Sequence, residues 1–221
     1  MTVSPLARLW FGVTALVVAV GLAVQVPVAW SNESGYFDTS WERGLNVFVF
    51  FTVLSNIAVG VSTAVLALGR ARPTNPFRTV RLIGVVGILL TFVVFHLALS
   101  DLQDLTGQAA VADFLLHTAS PLLCVSGWLL FGPRDQTTWP VAGSSLVFLA
   151  AWGLFTMIRG AIVEWYPYPF MDPIDSGYAR VIGNLVVVGG TFVALAAGAH
   201  VLDRHLAGGR PSRPEATPIQ A

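Results

Sequence analysis

The chain reads as an all-α membrane protein, a single bundle of six transmembrane helices with both termini on the cytoplasmic side. Three observations point there. Hydrophobic residues make up 55% of the 221 and charged residues 11%, with a mean hydropathy of +0.71, whereas roughly a quarter of a soluble domain is charged. Six apolar segments each reach the about 20 residues that a helix needs to cross the hydrocarbon. The arginines, in a chain without lysine, gather on one side of a six-span topology.

Span 1, residues 6–30, is too long for a signal-peptide core and shows no clear small-residue cleavage site, so it is read as retained. Pro27 and Trp30 mark its outer end, and Trp41, Trp139 and Trp165 fall near other predicted boundaries, where indole rings settle at the interface. Asn32, Glu33 and Ser34 match a glycosylation triplet, a three-residue match that carries little weight. Span 2 covers 45–69, and a turn with Pro73, Asn75 and Pro76 leads into span 3, 79–100. A short outer connection, 101–108, precedes span 4, 111–131, which holds the lone cysteine, Cys124. A tight connection of Gly132, Pro133, Arg134 and Asp135 leads to span 5, 140–163. The longest outer connection, 164–180, carries three prolines and a run of aromatics around Tyr168, so it is expected to fold as a cap over the bundle. Span 6, 181–202, contains Gly189 and Gly190, which suit close helix packing. Residues 1–206 form one domain, and the Gly-, Pro- and Ser-rich tail, 207–221, is expected to be disordered.

Orientation follows from positive charge in short loops, which stays cytoplasmic. Arg8, Arg70, Arg72, Arg78, Arg81, Arg134, Arg204, Arg210 and Arg213 fall on one side, against Arg43 and Arg180 on the other. The basic side suits anionic lipid headgroups better than nucleic acid, for which the chain carries no motif. The zero net charge thus hides a dipolar distribution.

Polar side chains inside hydrocarbon are costly, so a set of them at one depth suggests a built site. Thr52, Asn56, His96, His117, Arg159 and Asn184 all fall in the outer third of this topology. At about 1.5 Å per helical residue, Thr52 and His117 lie roughly 10 Å below the outer boundary. No comparable set is apparent in the cytoplasmic half. Thr52, Ser55 and Asn56 share one face of span 2 at i, i+3 and i+4, and Asp113 stands one turn from His117 at i, i+4. A hydroxyl, an imidazole and an orienting acid are the parts of nucleophilic acyl transfer, with amide or guanidinium donors for the oxyanion. Each residue also has a plainer reading. Threonine bonds the carbonyl four residues earlier, arginine snorkels, asparagine ties two helices, histidine makes a structural bond, and Asp113 faces water.

Phe51, Thr52 and Asn56 on span 2, Leu116, His117, Thr118 and Pro121 on span 4, and the run 168–172 after span 5 resemble the androgen-induced and androgen-dependent membrane hydrolase family. The resemblance runs from span 2 to span 6 and extends to a bacterial branch of six-span proteins. It implies an intramembrane threonine hydrolase of fatty acid esters of hydroxy fatty acids, with Thr52 as nucleophile and His117 as base, in a bacterial inner membrane with the site in the extracytoplasmic leaflet. Two positions depart from the family pattern. Ser55, followed by Asn56, is an alternative nucleophile, and Phe114 stands where the family has a second histidine. Supporting roles fall to Asn56, Asp113, Arg159, Tyr168, Asn184 and His96. The implied partners are membrane lipids and a lipid ester, with no metal and no cofactor. Two rival readings use the same cluster. One is a small transporter or lipid-binding protein, disfavoured by the lack of any evident broken helix in spans 2 to 6. The other is haem binding through His96 and His117.

Overall fold

A computed structural model describes residues 3–33, 35–102 and 104–208, apart from the side chain of Asp101. Ser34 of the glycosylation triplet and residues 209–221 of the predicted tail lie outside the described residues. Every regular element among the described residues is helical. Helix α1, Pro5–Ser31, begins behind Ser4, whose hydroxyl accepts from the Ala7 N–H at 3.2 Å. Such a cap satisfies one of the helix's orphan donors. Helix α2, Ser40–Asn46, starts with a capping box in which Thr39 and Glu42 bond each other's backbone N–H groups. A 3-10 turn, Val47–Val49, leads to α3, Phe51–Ala67.

Helix α4, Asn75–Val94, runs on through a π-turn, Phe95–Leu99. The fourth apolar segment is built from α5, Gly107–Phe114, a second π-turn, Leu115–Ala119, and α6, Ser120–Phe131. Helix α7 spans Trp139–Val163. After a 3-10 turn, Pro169–Met171, and the short α8, Pro173–Ser176, α9 runs over Tyr178–Gly208. Ala207 and Gly208 therefore continue the helix, where the sequence suggested the tail had begun. Among the described residues, five helices are long and apolar enough to cross a membrane, and a bent pair, Ser40–Val49 with Phe51–Ala67, makes a sixth when it is taken as one span.

Helix α4 is the hub, packing on α3, α6, α7 and α9, while α1 covers α3, α5 and α6. Its approach to α3 is close because Gly84 has no side chain: a Cβ there would sit 3.0 Å from the Val59 backbone nitrogen. By contrast, a Cβ on Gly189 or Gly190 would meet nothing within 4 Å, so these two do not serve packing within the chain. At one end, Arg8 Nε donates to Ala67 O at 2.8 Å and Arg78 Nε to Gln136 Oε1 at 3.0 Å. The start of α1, the α3–α4 connection, the α6–α7 connection and the end of α9 meet there. The connections after α1, α4 and α7 meet at the opposite end, where the Tyr36 hydroxyl donates to Val163 O at 3.0 Å.

Span 2 is not the continuous helix that its hydropathy suggests. Its two parts meet at 69°, with Phe50 extended at φ −72° and ψ 132°. Backbone outside a helix is tolerated at membrane depth only where protein buries it or a cavity is lined. Here the Trp152 indole N–H donates to Val49 O at 2.9 Å, and the Phe50 ring packs edge-on against Trp165 and Tyr168. The break is thus held by contacts more than a hundred residues away in sequence. Thr52 becomes the second residue of a helix, so counting seven residues along a straight span misplaces its depth.

Candidate functional site

An open cavity of about 1700 Å³ occupies the end opposite the basic connections, with Asn46, Thr52, Asp104, Asp113, His117 and Tyr168 among its lining. Beside it lies a narrow slot of about 40 Å³, lined by Leu90 and Val94 of α4, Leu149 of α7, and Leu185 and Val188 of α9. Thr52, Phe95, Leu99 and Tyr168 line both. One space is wide and carries titratable groups. The other is narrow and apolar, and Thr52 stands at the seam.

The local structure explains why the Thr52 hydroxyl does not bond its own helix. Thr14, Thr63, Ser144 and Thr191 each bond the carbonyl four residues earlier, at 2.7 to 3.0 Å, as hydroxyls in apolar helices do. Thr52 does not, because the break at Phe50 removes the turn that would supply its acceptor. Its backbone N–H instead donates to the Tyr168 hydroxyl oxygen, a long bond of 3.4 Å. Burial pushes the Tyr168 phenol up, and hydrogen bonding to Thr52 partly offsets this.

His117 sits within the second π-turn, a feature that recurs at functional sites. Its Nδ1 lies 2.9 Å from Asp113 Oδ1, an ion-pairing distance without hydrogen-bond alignment. Its ring stacks on Phe95, centroids 4.1 Å apart and 11° from parallel. Nε2 makes no hydrogen bond to the described residues, and Thr52 and His117 form none with each other. They meet through the cavity they share.

Asn56 is fully buried, and its amide donates to Thr52 O at 2.9 Å and Leu116 O at 3.1 Å. The second bond follows from the π-turn. Ser120 N–H bonds Leu115 O, five residues back, so in that register the donor for Leu116 O would be residue 121. That residue is Pro121, which has no N–H. Asn56 supplies the missing donor, which uses both its amide hydrogens and leaves none for an oxyanion. Ser55 is also fully buried, with its hydroxyl oxygen against Gly87 on α4, and lines neither space.

The remaining polar residues hold the architecture. Arg159 donates to Asn46 Oδ1 at 2.9 Å, with its guanidinium 5.4 Å from the Phe37 ring centroid and 5.8 Å from that of Trp165. It lines neither space. Asn184 donates to Phe170 O at 2.8 Å and so ties α9 to the 164–177 connection. This connection does fold as a cap: Tyr166, Tyr168 and Met171 are buried, and Gly160 makes room for the Tyr166 ring. His96 lies on the outer surface, its Nδ1 2.9 Å from Phe92 O and its Nε2 3.3 Å from Thr118 Oγ1. Both its nitrogens are engaged and Phe95 packs against both histidine rings, so the pair does not suit axial ligation of a haem.

A second polar cluster, at the basic end, escaped the sequence reading. Asp203 is fully buried and its Oδ2 accepts from the backbone N–H groups of Gln136 and Thr137 at 2.8 and 2.9 Å. His200 Nδ1 bonds Thr137 O, and the buried Arg81 donates to Gly132 O while lying 5.4 Å from the Phe11 ring centroid. Together they clamp the 132–138 connection. The spacing of His200 and Asp203 near the end of an apolar helix was the available signal. No group of three metal-ligating side chains occurs among the described residues. No protein-family model, curated protein or solved structure matches the chain.

Proposed function

We propose that this protein is an intramembrane hydrolase of lipid esters, with Thr52 as nucleophile and His117 as base. The observation that carries the proposal is the position of the Thr52 hydroxyl. It is unbonded to its own helix, and Thr52 lines both a wide cavity that carries titratable groups and a narrow apolar slot. Such a seam fits an ester whose carbonyl sits at Thr52, with the carbons beside the carbonyl entering the slot and the rest of the molecule in the cavity. The resemblance of the 51–56, 116–121 and 168–172 motifs to membrane threonine hydrolases supports the same reading, including a fatty acid ester of a hydroxy fatty acid as substrate.

In the reaction, Thr52 Oγ1 bonds to the ester carbonyl carbon as His117 takes the hydroxyl proton, and the carbonyl π electrons move onto oxygen. When the tetrahedral intermediate collapses, the bond to the alcohol oxygen breaks and His117 returns the proton to it. Water then attacks the acyl-threonine with His117 again accepting a proton. The acid leaves and Thr52 regains its hydrogen. Asp113, 2.9 Å from Nδ1, stabilises the imidazolium that forms and leaves Nε2 to handle the proton. The positive-inside rule favours a cytoplasmic basic end, and this supports a cavity in the outer leaflet of the bacterial inner membrane that the resemblance implies.

A fluorophosphonate probe should label the purified protein, and Thr52→Ala and His117→Ala should each abolish labelling. Labelling that survives both changes refutes the reading. The broken second span favours a second reading, a small lipid or solute transporter, because unwound backbone at a cavity also marks transporter sites. Counterflow in liposomes without ester cleavage would establish it.

A further inference from the structure

We propose that the Tyr168 hydroxyl is the donor that holds the oxyanion of the tetrahedral intermediate formed on Thr52. The proposal rests on the hydrolase reading and assigns one more catalytic residue to it. The tyrosine comes from the cap, more than a hundred residues along the chain, yet its oxygen accepts from the Thr52 N–H at 3.4 Å and its ring lines both the cavity and the slot. The carbonyl oxygen of an ester bonded to Thr52 Oγ1 lies one bond from the attacked carbon, within reach of a donor beside Thr52. A phenol has one hydrogen to give. With its oxygen already accepting from the Thr52 backbone, that hydrogen is more polarised and better suited to an anion.

Neither Asn56 nor Arg159 competes for that role. Both Asn56 amide hydrogens serve backbone carbonyls, and Arg159, bonded to Asn46 between two aromatic rings, lines neither space. Tyr168 is also held in place, as preorganised stabilisation requires. Its ring packs on Phe50, Trp152 and Phe170 at centroid distances of 5.7, 6.1 and 5.2 Å, and Asn184 fixes Phe170 from α9. The hydroxyl keeps its proton throughout and donates only a hydrogen bond, so the proton balance through His117 is unchanged.

The test uses purified full-length protein, a chromogenic fatty acyl ester and a trifluoromethyl ketone that forms a hemiketal at the nucleophile. Tyr168→Phe should lower kcat by about 10²–10³, the usual cost of losing one oxyanion donor, while KM stays near wild type and the protein stays folded at the assay temperature. The ketone's inhibition constant should weaken in parallel with kcat/KM. If Tyr168→Phe fails to fold, a ring-fluorinated tyrosine at 168 keeps the ring and makes the hydroxyl a stronger donor, and kcat should change. Thr52-dependent turnover left intact by Tyr168→Phe, or unchanged by fluorination, overturns the donor role alone. Wild type without Thr52-dependent turnover overturns the hydrolase reading, and the donor role with it.

Discussion

Replacing Asn56 by leucine keeps most of the buried volume but removes two hydrogen bonds, to Thr52 O at 2.9 Å and to Leu116 O at 3.1 Å. The two losses differ in kind. Thr52 O retains the backbone bond of its own helix, so losing the side-chain bond costs about 1 kcal/mol. Leu116 O has no backbone donor, because its π-register partner is Pro121, and an orphaned buried carbonyl costs about 1–3 kcal/mol. The single change should therefore cost about 2–4 kcal/mol in total. Pro121→Ala restores an N–H in the register that Leu116 O needs. In that background Asn56→Leu should cost about 1–2 kcal/mol less, well above the ~0.3–0.5 kcal/mol within which independent sites add. The assay is a four-protein cycle of reversible unfolding in mixed micelles. Additive effects would refute the claim that the proline and the asparagine answer the same carbonyl.

Three further outcomes follow from the packing. A Cβ on Gly160 would lie 2.1 Å from the Tyr166 ring, whereas one on Gly143 would meet nothing within 4 Å. Gly160→Ala should thus lower stability by about 1–3 kcal/mol through overpacking, and Gly143→Ala should leave the melt unchanged; equal melts would contradict the buried cap. Asp203→Ala removes a buried carboxylate from two backbone donors and should cost about 2–3 kcal/mol in the same unfolding assay. Tyr168, in the connection outside the spanning helices, has its phenol pushed up by burial, so the unfolded chain loses that proton first as pH rises. Its contribution to stability is present below the ordinary phenol value of about 10 and is lost above it. The alkaline fall in stability should shrink in Tyr168→Phe, and an unchanged alkaline profile would contradict the burial.

The spans were legible because hydropathy alone sets them. Predicted segment 140–163 and helix Trp139–Val163 differ by one residue, whereas the last helix, Tyr178–Gly208, outruns its predicted segment 181–202 at both ends. The break at Phe50 was not legible. Residues 47–51 are Val, Phe, Val, Phe and Phe, with no glycine or proline to mark a stop, and an apolar run reads alike in helix and extended backbone. What stabilises the break is tertiary: the Trp152 indole and the cap aromatics. The pairing of Asp113 with His117 was readable from i, i+4 spacing. Not readable was that the Asn56 amide answers Leu116 O and that Arg159 reaches Asn46, 60 and 113 residues away, because no local spacing marks such partners. The clamp around Asp203 was hidden because its partners are backbone groups of a distant connection, which carry no residue signature.

The residue that carries the acyl group in the acyl-enzyme decides whether Thr52 is the nucleophile. Purified protein is mixed with a fatty acyl ester, quenched in acid within one turnover, digested and mapped by mass spectrometry. An acyl group on Thr52, accumulating in wild type and missing in His117→Ala, is the predicted result. Ester cleavage with the acyl group on Ser55, or with Thr52 never modified, would contradict it.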